Sequence, residues 1–351
     1  MTGAAAVTGA AAVSRAAVPP ESATFPARVT GRLRELADGL PQPLRSPVRA
    51  LAGQPGKGLR STLLAACARF GLAGTRYGAA GMIRLVRLGA LVELLHLASL
   101  LHDDVVDQAP VRRGLPAAHT VVGAQQATLA GFACFALAGT EAASLGGGLD
   151  TLVSAAAAGL AYGEVLDVER AYDTALALPD YLELAERKTG DLFRLSCLLG
   201  AAEANAGPAV ARALAAFGTD FGVAFQILDD CLDLSASGSG KPTGSDHMLG
   251  LFGAPTLYAL GRDASGELAA LLLSPSFSEL DMPAARELVI ARGGLAEAAR
   301  LARQRYDRAL SALDGLDDDL RDALAAVTAT AWQDPMAAAA RQGAAARQGA
   351  A

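Results

Sequence analysis

The sequence predicts an all-α protein, and three observations carry that expectation. Alanine and leucine dominate the 351 residues, whereas aromatics make up only 5 % and β-branched runs are scarce, a composition that favours helices. Glycine and proline punctuation recurs near Gly53–Gly56, Gly71–Gly81, Pro110–Pro116, Gly146–Gly148, Pro179, Gly207–Pro208, Gly238–Gly244 and Gly293–Gly294. The intervals between these points have the lengths of long helices and helical hairpins. No linker-like stretch interrupts residues 26–335, so that span is expected to be one domain.

With 52 % hydrophobic and 19 % charged residues, the chain can bury a substantial core. Residues 1–25 are rich in Ala, with Gly, Thr and Pro among them and few charges, and residues 336–351 repeat Arg-Gln-Gly-Ala. Both read as disordered, solvated tails, with partner docking as the alternative. A net charge of −6 argues against a nucleic-acid surface, which is normally basic. Cys67, Cys134, Cys197 and Cys231 lie in apolar stretches without Cys-x-x-Cys spacing, which points to reduced core thiols rather than zinc. No signal-peptide pattern follows Met1, and the longest apolar window, Ala127 to Gly139, falls short of the ~20 residues that span a bilayer. No transmembrane segment and a cytoplasmic location are therefore expected.

The strongest local signal is His96-Leu-Ala-Ser-Leu-Leu-His-Asp103-Asp104-Val-Val-Asp107. At ~100° per residue, Asp103 and Asp107 lie about 40° apart on one helix face, and His96 points within about 20° of Asp103. A matching cluster follows later: Phe225-Gln226-Ile-Leu-Asp229-Asp230-Cys-Leu-Asp233. Both emerge from apolar helices. Like-charged carboxylates at this spacing repel, and desolvating them costs several kcal/mol per ion unless a cation compensates. A single cluster could be an acidic helix end facing water; two on core helices ask for metal. All-oxygen ligands favour a hard cation, and Mg²⁺ shared with substrate phosphates fits best.

Basic groups accompany the acids in order. Gly56-Lys57-Gly58-Leu59-Arg60 precedes the first cluster, Arg112-Arg113-Gly114 follows it, and Lys188-Thr189 and Lys241-Pro242 come later. Each alone is ordinary surface chemistry. Together they suit two polyanions, because arginine grips phosphate bidentately and lysine acts as a mobile point charge.

These motifs resemble the trans-isoprenyl diphosphate synthase (polyprenyl synthetase) family from about Pro55 to Leu260, with a weaker match to about Ala325. Asp103-Asp104-x-x-Asp107 followed by Arg112-Arg113-Gly is similar to the family's first aspartate-rich motif. Phe221-Gly-x-Ala-Phe-Gln226-x-x-Asp229-Asp230-x-x-Asp233 is similar to the second. The resemblance implies a single large antiparallel helical bundle around a central cavity. It implies that Asp103, Asp107 and Asp229, supported by Asp104 and Asp233, hold Mg²⁺, three ions with diphosphate bound. Arg112, Lys188, Thr189, Gln226 and Lys241 would contact the allylic diphosphate, and Lys57, Arg60, His96 and Arg113 would bind isopentenyl diphosphate. Asp103, Asp107, Asp229 and Lys188 would carry the ionisation step. A homodimer is implied by the family alone.

The sequence also departs from the pattern. Pro55-Gly-Lys-Gly58-Leu-Arg-Ser61 stands where the family usually has Gly-Gly-Lys-Arg-Leu-Arg-Pro. After Asp246 the usual Gly-Lys-x-Thr-x-Pro reads Gly250-Leu251-Phe-Gly-Ala-Pro255, and the usual arginine near Thr328 to Trp332 is missing. These gaps leave room for an altered substrate or a slow enzyme. Small Ala98 and Ser99, before Asp103, imply a product of C20 or longer. Two rivals are a class I terpene cyclase on the same fold and a regulatory subunit of a prenyl synthase. Retained Lys57, Arg60, His96 and Arg113 oppose the first, and two intact acid motifs oppose the second.

Overall fold

In the computed structural model, residues 24–54, 56–68, 78–234, 244–329 and 331–332 are described. Both tail expectations, apart from Thr24 and Phe25, and the loop carrying Lys241 lie outside them. The described residues form helices joined by short turns, as expected, with one two-stranded exception.

The entry is α1 (Phe25–Asp38), α2 (Arg45–Ala52) and α3 (Leu59–Cys67). The 28-residue α4 (Ala79–Val106) then runs through the middle of the fold and ends at the first acid cluster, with Asp107 as its C-cap. It packs against α1 and α3 and against α6 (Ala124–Leu145), which follows the five-residue α5 (Ala118–Val122). Gly146, Gly147 and Gly148 all adopt positive φ and reverse the chain into α7 (Leu149–Glu169). Conformations of that kind are open to glycine and costly for most other residues.

The second half begins with α8 (Leu178–Ala185), which carries Pro179 in its first turn, where a missing N–H costs nothing. One turn of π-helix (Glu186–Gly190) leads into α9 (Asp191–Glu203). Next comes the 26-residue α10 (Pro208–Asp233), which ends at the second acid cluster. Short α11 (Ser245–Met248), α12 (Ala254–Leu260) and α13 (Glu267–Leu272) precede α14 (Met282–Ala291) and α15 (Gly294–Ser311). A last helical stretch covers 318–329. One core cluster surrounds α4 through Leu88, Leu91, Leu94, Leu95 and Leu101, and another surrounds α10 through Phe217, Phe221, Ile227 and Leu228. All four cysteine side chains are buried.

The exception is a hairpin of β1 (Val111–Arg112) and β2 (Leu115–Pro116). Arg113 and Gly114 form its turn with φ of 51° and 78°, the left-handed pair that tight hairpins need. The expectation that no stretch reaches membrane-spanning length is corrected. Among the described residues α4, α6 and α7 are long and apolar enough by length and composition, because isolated charges do not break such a window. In α4, 67 % of the window is buried inside the fold; in α6 and α7 the shares are 33 % and 28 %.

Glycines set how closely α9 and α10 approach. A Cβ on Gly222 would stand 2.7 Å from Gly190 Cα and 3.0 Å from the Phe193 ring. Substituting Gly222→Ala is expected to destabilise the protein by about 1–3 kcal/mol, the usual cost of overpacking, as read from urea denaturation midpoints.

Candidate active site

Where α4 and α10 end, their acid clusters face a common cavity of about 360 Å³, lined by Asp103 and Asp107 from one helix and by Asp229 and Asp230 from the other. Asp167 of α7 and Asp246 of α11 line it as well, and neither was singled out from the sequence. Crowding shifts their protonation. Burial, then Asp103, Asp246 and Asp167, push the Asp107 carboxyl up to about 6 against the pull of Lys188. Glu164, one turn before Asp167 on α7, is pushed up to about 9, first by burial and then by Asp103 and Asp167. Asp103 Oδ1 is buried without a hydrogen-bond partner. A buried carboxylate oxygen with nothing to bond, among repelling neighbours, is a donor set that fits a hard divalent cation.

The π-turn delivers Lys188 and Thr189. Insertions of this kind occur frequently at functional sites. The Lys188 ammonium lies against Asp167 and 3.5 Å from Glu164 Oε1. Although burial opposes its charge, Asp103, Asp167 and Glu164 more than offset that and hold its pKa well above the ordinary value. Gly163 permits this contact, because a Cβ there would lie 2.9 Å from the Lys188 backbone nitrogen. Thr189 Oγ1 donates to Gln226 Oε1 at 2.6 Å, and Gln226 lines the cavity.

Cationic groups line the cavity as well. Lys57, Arg60, Arg112 and Arg113 line the same cavity with His96 and Glu93. Arg60 stacks 4.7 Å over the Phe193 ring, and burial lowers its pKa to about 10. Burial and the neighbouring Arg60, Arg113 and Arg112 depress His96 well below its usual range, so its imidazole is neutral. Arg113 Nη2 lies 3.2 Å from His96 Nε2 and Nη1 donates to Gln54 O at 2.7 Å. The guanidinium can only donate, which places the imidazole proton on Nδ1. Glu93 Oε1 accepts Ser61 N–H at 3.3 Å.

Two expected metal ligands do not join the cavity lining. Asp104 is 1 % exposed and accepts from Arg112 Nε at 2.6 Å, with Nη2 at 2.5 Å. It faces a separate apolar pocket of about 240 Å³ beside Leu51, Leu101 and Val122, because the residue next to Asp103 on a helix points ~100° away. Asp233, one turn beyond Asp229, instead turns Oδ2 toward His247 Nδ1 at 3.8 Å. Leu251 and Arg170 also line the cavity. Glu164 and Asp167 carry a signal that was legible: two carboxylates one turn apart on an apolar helix.

The sequence profile described as "Polyprenyl synthetase" matches residues 41–286. The chain belongs to the polyprenyl synthetase family. It is 31 % identical to "Solanesyl-diphosphate synthase 2, chloroplastic" of Oryza sativa subsp. japonica, over 82 % of this chain and 72 % of that one. It is 32 % identical to "Heptaprenyl diphosphate synthase component 2" of Geobacillus stearothermophilus, over 70 % and 78 %. Among solved structures it resembles a geranylgeranyl pyrophosphate synthase from Lactobacillus brevis, with TM-score 0.79, 27 % identity and 88 % and 96 % coverage. A polyprenyl synthase from Caulobacter crescentus, solved with calcium and isoprenyl diphosphate, gives TM-score 0.75, 32 % identity and 89 % and 98 % coverage. This polyprenyl synthetase is a prenyl-group transferase with the family's all-α fold.

Two outcomes separate the acids of the first motif. Asp104→Asn removes one partner of a buried ion pair and is expected to cost about 3–5 kcal/mol of stability, measured by denaturant unfolding. Asp103→Asn relieves repulsion and is expected to leave the metal-free protein as stable or more so. For pH the sign follows from Asp107. Its pKa rises from 3.8 to about 6 on folding, so between those values the folded state holds a proton that the unfolded state has lost. Metal-free stability is therefore expected to fall as pH rises from about 4 to about 6, and added Mg²⁺ should reverse that fall in thermal unfolding.

Proposed function

We propose that this polyprenyl synthetase condenses an allylic diphosphate with isopentenyl diphosphate to give a prenyl diphosphate of C20 or longer, with Mg²⁺ as the divalent ion. The observation that carries the reading is a single cavity lined both by the carboxylates Asp103, Asp107 and Asp229 and by Lys57, Arg60 and Arg113 with His96.

Asp103, Asp107 and Asp229 would hold Mg²⁺, which when bound neutralises charge on a departing diphosphate. Among the described residues no three ligand groups already stand at coordination spacing, so substrate oxygens would complete each shell, as is usual for Mg²⁺. Three ions with diphosphate bound is the number this reading takes. Asp167 and Glu164 keep Lys188 charged and aimed at the leaving group. Arg112, braced by Asp104, and the Thr189–Gln226 pair complete the allylic side, to which Lys241 is assigned as well. On the other side Lys57, Arg60 and Arg113 take the second diphosphate, with neutral His96 accepting from Arg113 and presenting Nδ1–H. Phe193, Phe225, Leu100 and Leu184 line the space between and keep water from the allylic cation until the second alkene attacks.

A homodimer belongs to the same reading. Leu129, Phe132, Tyr162, Val165 and Val168 are exposed on α6 and α7, which pack side by side, and an apolar face of that kind supports a partner surface. The alternative, a subunit of a two-component enzyme, draws on the name of the Geobacillus relative. Sedimentation at about twice the 35.5 kDa chain mass is expected; a monomer would contradict the homodimer. A cytoplasmic location remains part of the proposal.

The testing experiment supplies labelled isopentenyl diphosphate with C5, C10, C15 and C20 allylic starters, each with and without Mg²⁺. Label entering longer products only with Mg²⁺ is expected. Cleavage of the starter without incorporation would instead identify a cyclase. Ser99 lines the cavity, whereas Ala98 is fully buried in the core around α4. Ser99→Phe is therefore expected to shorten the product by at least one C5 unit in chromatography, and unchanged length rejects this floor.

A further inference from the structure

Asp230, the middle carboxylate of the second acid motif, has both oxygens engaged by the protein. Oδ1 accepts from Gln226 Nε2 at 2.9 Å. Oδ2 accepts from the Tyr181 hydroxyl at 2.5 Å and from the Ala254 backbone N–H at 3.1 Å. Gly253 makes room for this, since a Cβ there would lie 2.5 Å from Oδ2. With Thr189 Oγ1 bonded to Gln226 Oε1, a continuous chain links the π-turn, α10, α8 and the start of α12.

The chain has a direction. An amide presents an acceptor at one end and donors at the other, in nearly the same shape. The Thr189 hydroxyl can donate or accept, so it does not choose between them. The Ala254 backbone N–H can only donate, so Oδ2 is an acceptor, and the Gln226 amide atom within bonding distance of Oδ1 is Nε2. Nε2 of Gln226 must therefore face Asp230. An amide nitrogen carries two N–H groups; with one given to Asp230, the other is available to an anion in the cavity that Gln226 lines.

We infer that Asp230 is a positioning residue for diphosphate recognition: it acts through Gln226, fixing the amide so that a donor serves the allylic diphosphate. This rests on the prenyl-transfer reading of the cavity and deepens it. Asp229 and Asp230 both line the cavity, but on this inference Asp229 takes the ion while Asp230 sets the polarity of Gln226. Tyr181 and the Ala254 N–H hold Asp230 in turn. Rigid support of this kind is what keeps a recognition group within a few tenths of an ångström of its target.

The test is a double-mutant cycle on the full chain, reading KM for each substrate separately together with Tm. Asp230→Asn is expected to raise KM for the allylic diphosphate about tenfold or more, and KM for isopentenyl diphosphate less than about twofold. Gln226→Met should produce a similar allylic loss. Asp230→Asn added to Gln226→Met should then add little, because the group it positions is gone. A structural role alone would lower Tm and leave the ratio of the two KM values unmoved. Additive losses, or an equal rise in both KM values, overturn the inference while leaving the site reading intact. Should Asp230→Asn not fold, Tyr181→Phe removes one brace and is expected to shift the allylic KM in the same direction by about two- to fivefold; no shift overturns the inference. A wild-type chain that takes no allylic diphosphate overturns the site reading and the inference with it.

Discussion

Repulsion among carboxylates in a half-dry cavity is the constraint around which the rest of this molecule is arranged. Asp103, Asp107, Asp167, Asp229 and Asp246 face one space, with Glu164 behind them. In isolation such a set would lower its charge by taking up protons, and the raised values at Asp107 and Glu164 show that tendency. Lys188 answers part of the charge. The remainder makes the cavity receptive to divalent ions that arrive with a phosphate-bearing substrate.

The helices meet this constraint geometrically. α4 and α10 are apolar along most of their length and therefore core-seated, so their acidic ends can converge without a solvated surface between them. Close approach at Gly163 and Gly222 brings α7 and α9 alongside, which sets Glu164 and Asp167 against Lys188 and Thr189 against Gln226. The cationic lining is built separately. The Arg113-Gly114 turn folds a two-residue hairpin back, with Arg112 directed to Asp104 and Arg113 to His96. One short segment thus serves both halves of the cavity.

Much of this was legible in the sequence because it is periodic. The all-α fold follows from composition and from glycine and proline at helix ends, and Gly146–Gly148, Pro179, Gly207 and Gly293 all fall at such ends. The cavity lining by Asp103, Asp107 and Asp229 follows from acids emerging from apolar helices. What periodicity alone did not resolve was which acids of each motif leave the cavity. Asp104, one step round the helix from Asp103, points to Arg112, and Asp233, one full turn beyond Asp229, turns to His247. Glu164 and Asp167 were legible as two carboxylates one turn apart on an apolar helix, but without a doubled aspartate the pair is a weaker signal. The π-turn and the Tyr181–Asp230 contact depend on packing between helices, to which no local pattern corresponds. The α4, α6 and α7 windows show the converse, since apolar length by itself does not say whether a helix faces a core, a partner or a membrane.

The central claim is that two helix ends hold one anion together through shared ions. The most direct measurement is calorimetric titration of inorganic diphosphate in the presence of Mg²⁺, on the wild type and on Asp103→Asn and Asp229→Asn separately. Each substitution is predicted to weaken Mg²⁺-dependent binding about tenfold or more, equivalent to about 1.4 kcal/mol. Unchanged affinity after either one would mean that a single helix end holds the diphosphate, and would contradict the account.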